Sequence, residues 1–228
     1  MSSRFDEEAT GLHPAFPPGR RLVVVGSTSF WGKDSPELCH RMAIRLAGIA
    51  ELIAITGGMP GVGETFGQSF ADERRRLGLP EQLFHLLPKG FGACDRGVTL
   101  FAGLDYEERR EVLGRLGQVY LVIEGGPGTE HEVRVARGRG AAVIPVARSG
   151  GHAGDVYPRV ERSPGAGSPD WELLQDRAAP LEAVISAVQR LVEASFSSAG
   201  RTNRCSRPGP LVRLSEWFNR LRRPRRLN

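Results

Sequence analysis

Two lysines and three cysteines are all that 228 residues contain, and no apolar run is long enough to cross a bilayer. The cysteines, Cys39, Cys94 and Cys205, are odd in number and widely spaced. They form no C-x-x-C pair and no zinc spacing, which argues against a disulfide framework and a structural metal site. The opening stretch MSSRFDEEATGLHPAF has no continuous apolar segment, so no secretory signal is expected. A reduced, cytoplasmic chain is the simplest expectation. There is no internal repeat. With 40% apolar and 25% charged residues, the chain has enough apolar material for one substantial core.

The scarcity of lysine leaves arginine as nearly the only base, and the arginines are unevenly placed. Residues 195–228 hold nine arginines against one glutamate, a net of +8, so the overall +5 leaves −3 for the rest. The basic character belongs to the tail, and the body gives no clear sign of nucleic-acid binding. Within the tail, Leu211, Leu214, Phe218 and Leu221 share a helical face among arginines. Such a basic amphipathic segment is suited to dock on a partner, a subunit or an anionic surface.

What is abundant is alternation. RLVVV (21–25), ELIAIT (51–56), LFHLLP (83–88), QVYLVIE (118–124) and AAVIPVA (141–147) read as buried strands, with a short VTLF as a further candidate. Ser35-Pro36-Glu37 opens one helix, with Leu38, Met42, Leu46 and Ile49 at helical spacing. A second covers 64–77, with Phe66, Phe70 and Leu77 on one face, and stops at Gly78, and a third starts at Asp105 as its N-cap. A fourth runs over 129–138 and a closing one over 180–196, while 148–169 reads as a long loop. Strands alternating with helices predict an α/β fold of three layers, with a Rossmann-like, doubly wound, mostly parallel sheet. The expected organisation is a flexible arm over 1–20, one domain over 21–196 and a basic tail over 197–228.

Right-handed crossovers put every β→α turn on one rim of such a sheet. Three of those turns are glycine-rich or hydroxyl-rich: Gly26-Ser27-Thr28-Ser29, GGMPGVG from Gly57 and Gly58 onward, and EGGPGT. Their convergence predicts a ligand crevice. The turn Gly125-Gly126-Pro127-Gly128-Thr129 feeds a helix N-terminus, where backbone amides and the helix dipole favour a phosphate.

The element G-G-x-G-T-x-x-E, from Gly125 to Glu132, together with Glu108-Arg109-Arg110 at a helix start, resembles the Lonely Guy (LOG) family of the SLOG superfamily. The likeness extends over about residues 21–150. Gly26-Ser27 and the glycine run after the second strand fit the same pattern. Glu124 stands where that family has proline, Pro127 fills a position often aromatic, and Arg110 replaces lysine. The GGPGT wording is also similar to molybdenum-cofactor carrier proteins. The LOG resemblance implies hydrolysis of a nucleoside 5′-monophosphate to free base and ribose 5-phosphate, without cofactor or metal, by a homodimer. The carrier resemblance implies a nucleotide sensor or carrier that binds without cleaving. Lysine decarboxylation, a name attached to the family, is not expected, since the serine-x-histidine-lysine element of a pyridoxal enzyme is missing.

On that resemblance Glu132 and Arg109 are the catalytic candidates. Gly26, Ser27, Gly57, Gly58, Gly125, Gly126, Gly128, Thr129 and Arg110 are the phosphate- and nucleotide-binding candidates. Each has a plainer reading. Thr129-x-x-Glu132 is also a capping box, Arg109 a solvated helix charge, and Ser27 and Thr28 ordinary turn residues. Trp31 and Phe30 either stack on a base or pack the loop. Cys94 has no visible histidine partner, and His131 is expected at the surface.

Overall fold

The structure, a computed structural model, describes residues 3–160 and 163–202. The expected amphipathic segment at 211–223 lies outside the described residues. Six strands form one sheet: β1 (Arg20–Gly26), β2 (Leu52–Thr56), β3 (Leu83–Leu87), β4 (Val98–Phe101), β5 (Val119–Ile123) and β6 (Ala142–Val146). Their spatial order is β4-β3-β2-β1-β5-β6, and every pairing is parallel. Strands β2, β3 and β5 are buried along their whole length, as a sheet covered on both faces requires. Pro145, which cannot donate to a ladder, sits on the edge strand β6.

The helices are α1 (Arg4–Leu12), α2 (Ser35–Ala47), α3 (Val62–Arg76), α4 (Tyr106–Leu116), α5 (Pro127–Gly138), α6 (Gly151–Val156), α7 (Pro169–Leu173) and α8 (Leu181–Thr202). One layer packs α2 on α3 and α8, and the other packs α4 on α5 and α1. Leu38, Met42 and Leu46 of α2 and Phe66 and Phe70 of α3 are fully enclosed by the sheet and their neighbours, the faces that their spacing predicts. Leu77, expected on the same face, lies just past the end of α3 and is exposed, while Gly78 takes the positive φ of 67° that ends the helix.

Two expectations need correction. The stretch taken as a flexible arm contains α1, closed by a capping box between Ser3 and Asp6. Asp6 also binds Arg115 of α4 (3.0 Å) and Arg139, and Lys89 binds Glu8 (2.6 Å), so polar contacts fasten α1 along its length. The stretch read as one long loop contains α6, which begins at Gly151 with Gly150 as its N-cap, the two at φ 56° and 84°. Its first amides return to β5: His152 N–H donates to Gly125 C=O (2.7 Å) and Ala153 N–H to Glu124 C=O (3.0 Å).

In this order the chain reverses direction between β1 and β5, whose carboxyl ends lie side by side. Open parallel sheets bind ligands at that switch point. The turns after β1 and β5 are GSTS and EGGPGT, so the fold brings together at this point two of the three loops that the sequence singles out.

Candidate functional site

A crevice of about 310 Å³ opens above the β1/β5 switch point. It is lined by Gly26, Ser27, Thr28 and Trp31 from the first turn, and by Gly57, Met59, Pro60 and Gly63 from the second. Arg109, Arg110 and Leu113 come from α4, and Gly126, Pro127, Gly128, Thr129 and Glu132 from the start of α5. Two expected members lie behind it. Gly125 forms the turn itself, at φ 100°, where a Cβ would meet Thr129 at 2.6 Å. Gly58 turns away at φ 62° toward Cys94 and His85, beside a separate cavity. Met59, Pro60, Gly63 and Leu113 were not singled out in the sequence, because nothing in their types points to a ligand.

The centre of the crevice is an ion pair. Arg109 Nη1 donates to Glu132 Oε1 at 2.6 Å, with only 4% and 8% of the two side chains exposed. The pair forms because α4 and α5 pack closely: at Gly114 a Cβ would lie 2.9 Å from Glu132 C=O and 2.7 Å from Val135. The guanidinium rests against Gly57, where a Cβ would come within 3.0 Å of Nη1, and over the Tyr106 ring. Arg109 Nε is buried and has no partner among the described residues. Glu132 therefore does not cap its own helix: Gly126 is the N-cap, without a side-chain bond, and the Glu132 carboxylate faces α4. Burial pushes the Glu132 carboxyl above its ordinary value, and the neighbouring Arg109 and Arg110 pull it back.

The helix start leaves donors free. Pro127 has no N–H, and Glu130 N–H donates to Gly126 C=O at 3.0 Å. Gly126, Gly128 and Thr129 remain, and among the described residues none of their N–H groups meets a protein acceptor. Thr129 Oγ1 donates to Gly26 C=O (3.1 Å), which ties the α5 turn to the end of β1. Arg110 is half-buried, lies over Gly128 with Nε 2.9 Å from where a Cβ would be, and has no acidic partner among the described residues. Three amides, a helix dipole and an unneutralised guanidinium thus meet on one side of the crevice.

Ser27, expected either to bind a ligand or to serve as an ordinary turn residue, lines the crevice. Its hydroxyl donates to Glu124, which is fully buried and also accepts from Trp31 N–H (3.1 Å) and Gly32 N–H (2.8 Å). Glu124, noted in the sequence only as a departure from a family pattern, is the anchor of the first loop. His131 turns from the crevice and binds Glu111 at 2.7 Å, while Asp105 caps α4 by accepting from Glu108 N–H at 2.9 Å. Cys94 lies beside Gly58 and the second cavity, and burial raises its thiol pKa, the opposite of an activated nucleophile. Among the described residues no group of three His, Cys, Asp or Glu is arranged to hold a metal ion, and no helix is long and apolar enough to cross a membrane.

No family model and no curated protein matches the chain. Solved structures do. The protein TM1055 is 25% identical, with a TM-score of 0.51 over 61% of this chain and 81% of that one. The molybdenum-cofactor carrier protein of Chlamydomonas reinhardtii is 18% identical, with a TM-score of 0.54 over 77% and 98%. The molybdenum-cofactor binding protein of Rippkaea orientalis is 15% identical, with a TM-score of 0.52 over 76% and 98%. At these identities the carrier proteins bear on the fold alone. The three-layer, all-parallel Rossmann-like fold of this chain is the one expected from its resemblance to the Lonely Guy and SLOG group, and it is shared with the molybdenum-cofactor carriers.

Proposed function

We propose that the chain is a LOG-like phosphoribohydrolase that splits a nucleoside 5′-monophosphate into free base and ribose 5-phosphate. The observation that carries this reading is the buried Arg109–Glu132 pair, which lines the same crevice as the free amides of α5. In the reaction the 5′-phosphate is held by the N–H groups of Gly126, Gly128 and Thr129 and by Arg110. The C1′–N bond breaks with its electrons leaving on the base, and C1′ gains positive charge, as in glycoside hydrolysis. Water supplies hydroxide to C1′ and a proton to the base. Glu132 faces the developing charge and orients the water, and Arg109 holds the carboxylate in place. Such a pair set wrong by an ångström loses on the order of 10²-fold in rate.

The test is direct: the purified protein is incubated with AMP, CMP and related monophosphates, and free base is measured. Release that Glu132→Gln abolishes supports the reaction; no release from any of them rejects it. A binding protein of the same fold is the second reading, a nucleotide sensor or a carrier like those of the molybdenum cofactor. Pro127 favours it, because it removes one amide from the anion site. Retention of a copurified ligand without base release would decide for it. A homodimer in the cytoplasm, with the basic tail docking on a partner or an anionic surface, completes the proposal.

A further inference from the structure

Glu124 is an expensive residue in its place. Its backbone is at φ 54°, a conformation that non-glycine residues rarely adopt, and its carboxyl group is fully buried. Every polar atom is nevertheless engaged. The side chain takes Ser27 Oγ–H, Trp31 N–H and Gly32 N–H. The main-chain N–H donates to Ser149 Oγ (2.8 Å), and the C=O accepts from Ala153 N–H (3.0 Å). All of this fixes one short loop, and that loop carries an indole. Trp31 is 58% exposed although it is the largest apolar side chain in the turn. Its ring lies against two glycines: a Cβ at Gly151 would meet Cζ3 at 2.5 Å, and one at Gly126 would meet Cη2 at 3.9 Å. One edge is therefore wedged in place while the ring lines the crevice beside the free amides of α5.

An anchored backbone under an exposed ring is not what core packing produces, since packing would bury the ring. We propose that Trp31 is the platform on which the planar nitrogen heterocycle of the ligand stacks, and that Glu124 is the positioning residue that holds it. The inference rests on the phosphate-binding end of the site proposed above and assigns the other end. Stacking tolerates any flat ring, so the ligand class is a phosphorylated heterocycle, a nucleobase or a pterin, and selection among rings falls to other contacts.

The experiment measures binding by equilibrium dialysis, with intact ligand quantified and free base scored separately. AMP and neopterin monophosphate serve as ring-bearing probes, and ribose 5-phosphate as the ringless one. Trp31→Ala is expected to weaken AMP, neopterin monophosphate or both by roughly 5- to 150-fold, the span of base–aromatic stacking. Ribose 5-phosphate should change by less than about twofold, and Trp31→Phe should recover most of the loss. Glu124→Gln, which offers one acceptor oxygen where the carboxylate offers two, should reproduce the ring-selective loss in part. If that variant does not fold, the Trp31 pair alone decides. Equal weakening of ribose 5-phosphate, no change for any probe, no better binding by Trp31→Phe than by Trp31→Ala, or no binding of any probe by the parent would each overturn the proposal. A ring-selective loss without base release keeps this inference and removes the reaction; base release with an unselective Trp31→Ala does the reverse.

Discussion

Removing the Glu132 carboxylate is the perturbation that tests most of the site at once. Glu132→Ala leaves the Arg109 guanidinium 4% exposed, without its partner, and with an Nε that already lacks one. Breaking a buried pair from one side costs about 3–5 kcal/mol. In a domain of this size each kcal/mol moves the midpoint by about 2–4 °C, so the melting temperature should fall by roughly 6–20 °C. Glu132→Gln keeps one oxygen for Arg109 Nη1 and should cost about 1–3 kcal/mol, a bond weakened but not deleted. Arg109→Met combined with Glu132→Leu removes both charges and should recover most of the stability. Urea and thermal unfolding measure these values, and base release from AMP is followed in the same preparations. Glu132→Gln should lose about 10²–10⁴-fold in rate, the usual worth of one positioned acid or base. The pH profile adds a sign. Burial holds the Glu132 carboxyl above its ordinary 4.5, so activity that needs the ionised form must decline as pH falls through that raised value. An unfolding midpoint for Glu132→Ala equal to that of the parent, or a double variant less stable than either single one, would refute the buried pair. A fully active Glu132→Gln would refute its chemical role.

Arg110→Ala should raise KM for a nucleoside monophosphate by roughly 10- to 150-fold with little change in kcat, because it removes one charge-assisted bond to a phosphate present in both ground and transition states; steady-state kinetics decide. Gly125→Ala should destabilise the domain by about 1–3 kcal/mol in urea unfolding, since its φ of 100° disfavours a side chain and the new Cβ meets Thr129. Asp6 is held down to about 2, first by the Ser3 N–H and then by the Ser3 hydroxyl, Arg115 and Arg139. Its folded value lies below the unfolded one, so its contribution is present above about pH 4 and is lost as pH falls through 2. Amide protection of residues 4–12 should drop over that interval relative to the sheet, and Asp6→Asn should show the drop at neutral pH.

Strands and most helices were readable because their signals are local. An apolar run such as LVVVG can only be buried, and Asp105 caps α4 because a short carboxylate at a helix start has few better options. What escaped was decided by distant partners. The start of α1 carries few apolar residues, so Ser3 and Asp6 looked like ordinary polar residues until Arg115 and Arg139 came alongside. The two glycines at the start of α6 read as loop, yet they let the chain turn back onto Glu124 and Gly125. The same division runs through the site. Thr129-x-x-Glu132 has the form of a capping box, and only the approach of Arg109, 23 residues earlier, turns the Glu132 carboxylate toward α4 and away from its own helix start. The side-chain partners of Glu124 are 92 to 97 residues away, beyond the reach of any local pattern.

Two carboxylates, Glu124 and Glu132, frame the GGPGT turn, and both are buried, yet the crevice is suited to an anion. The reason lies in their partners. Glu132 is matched by a full positive charge on Arg109, and Glu124 is matched by three neutral donors. Neither acid is left to repel a ligand from the N-terminus of α5. The amides of Gly126, Gly128 and Thr129 and the guanidinium of Arg110 stand unneutralised there, so the local field is positive although residues 1–194 carry a net −3. In a partly enclosed site those near groups outweigh exposed charges more than a Debye length away, about 8 Å at physiological salt. Raising ionic strength should therefore weaken phosphate binding less than it would at an exposed basic patch.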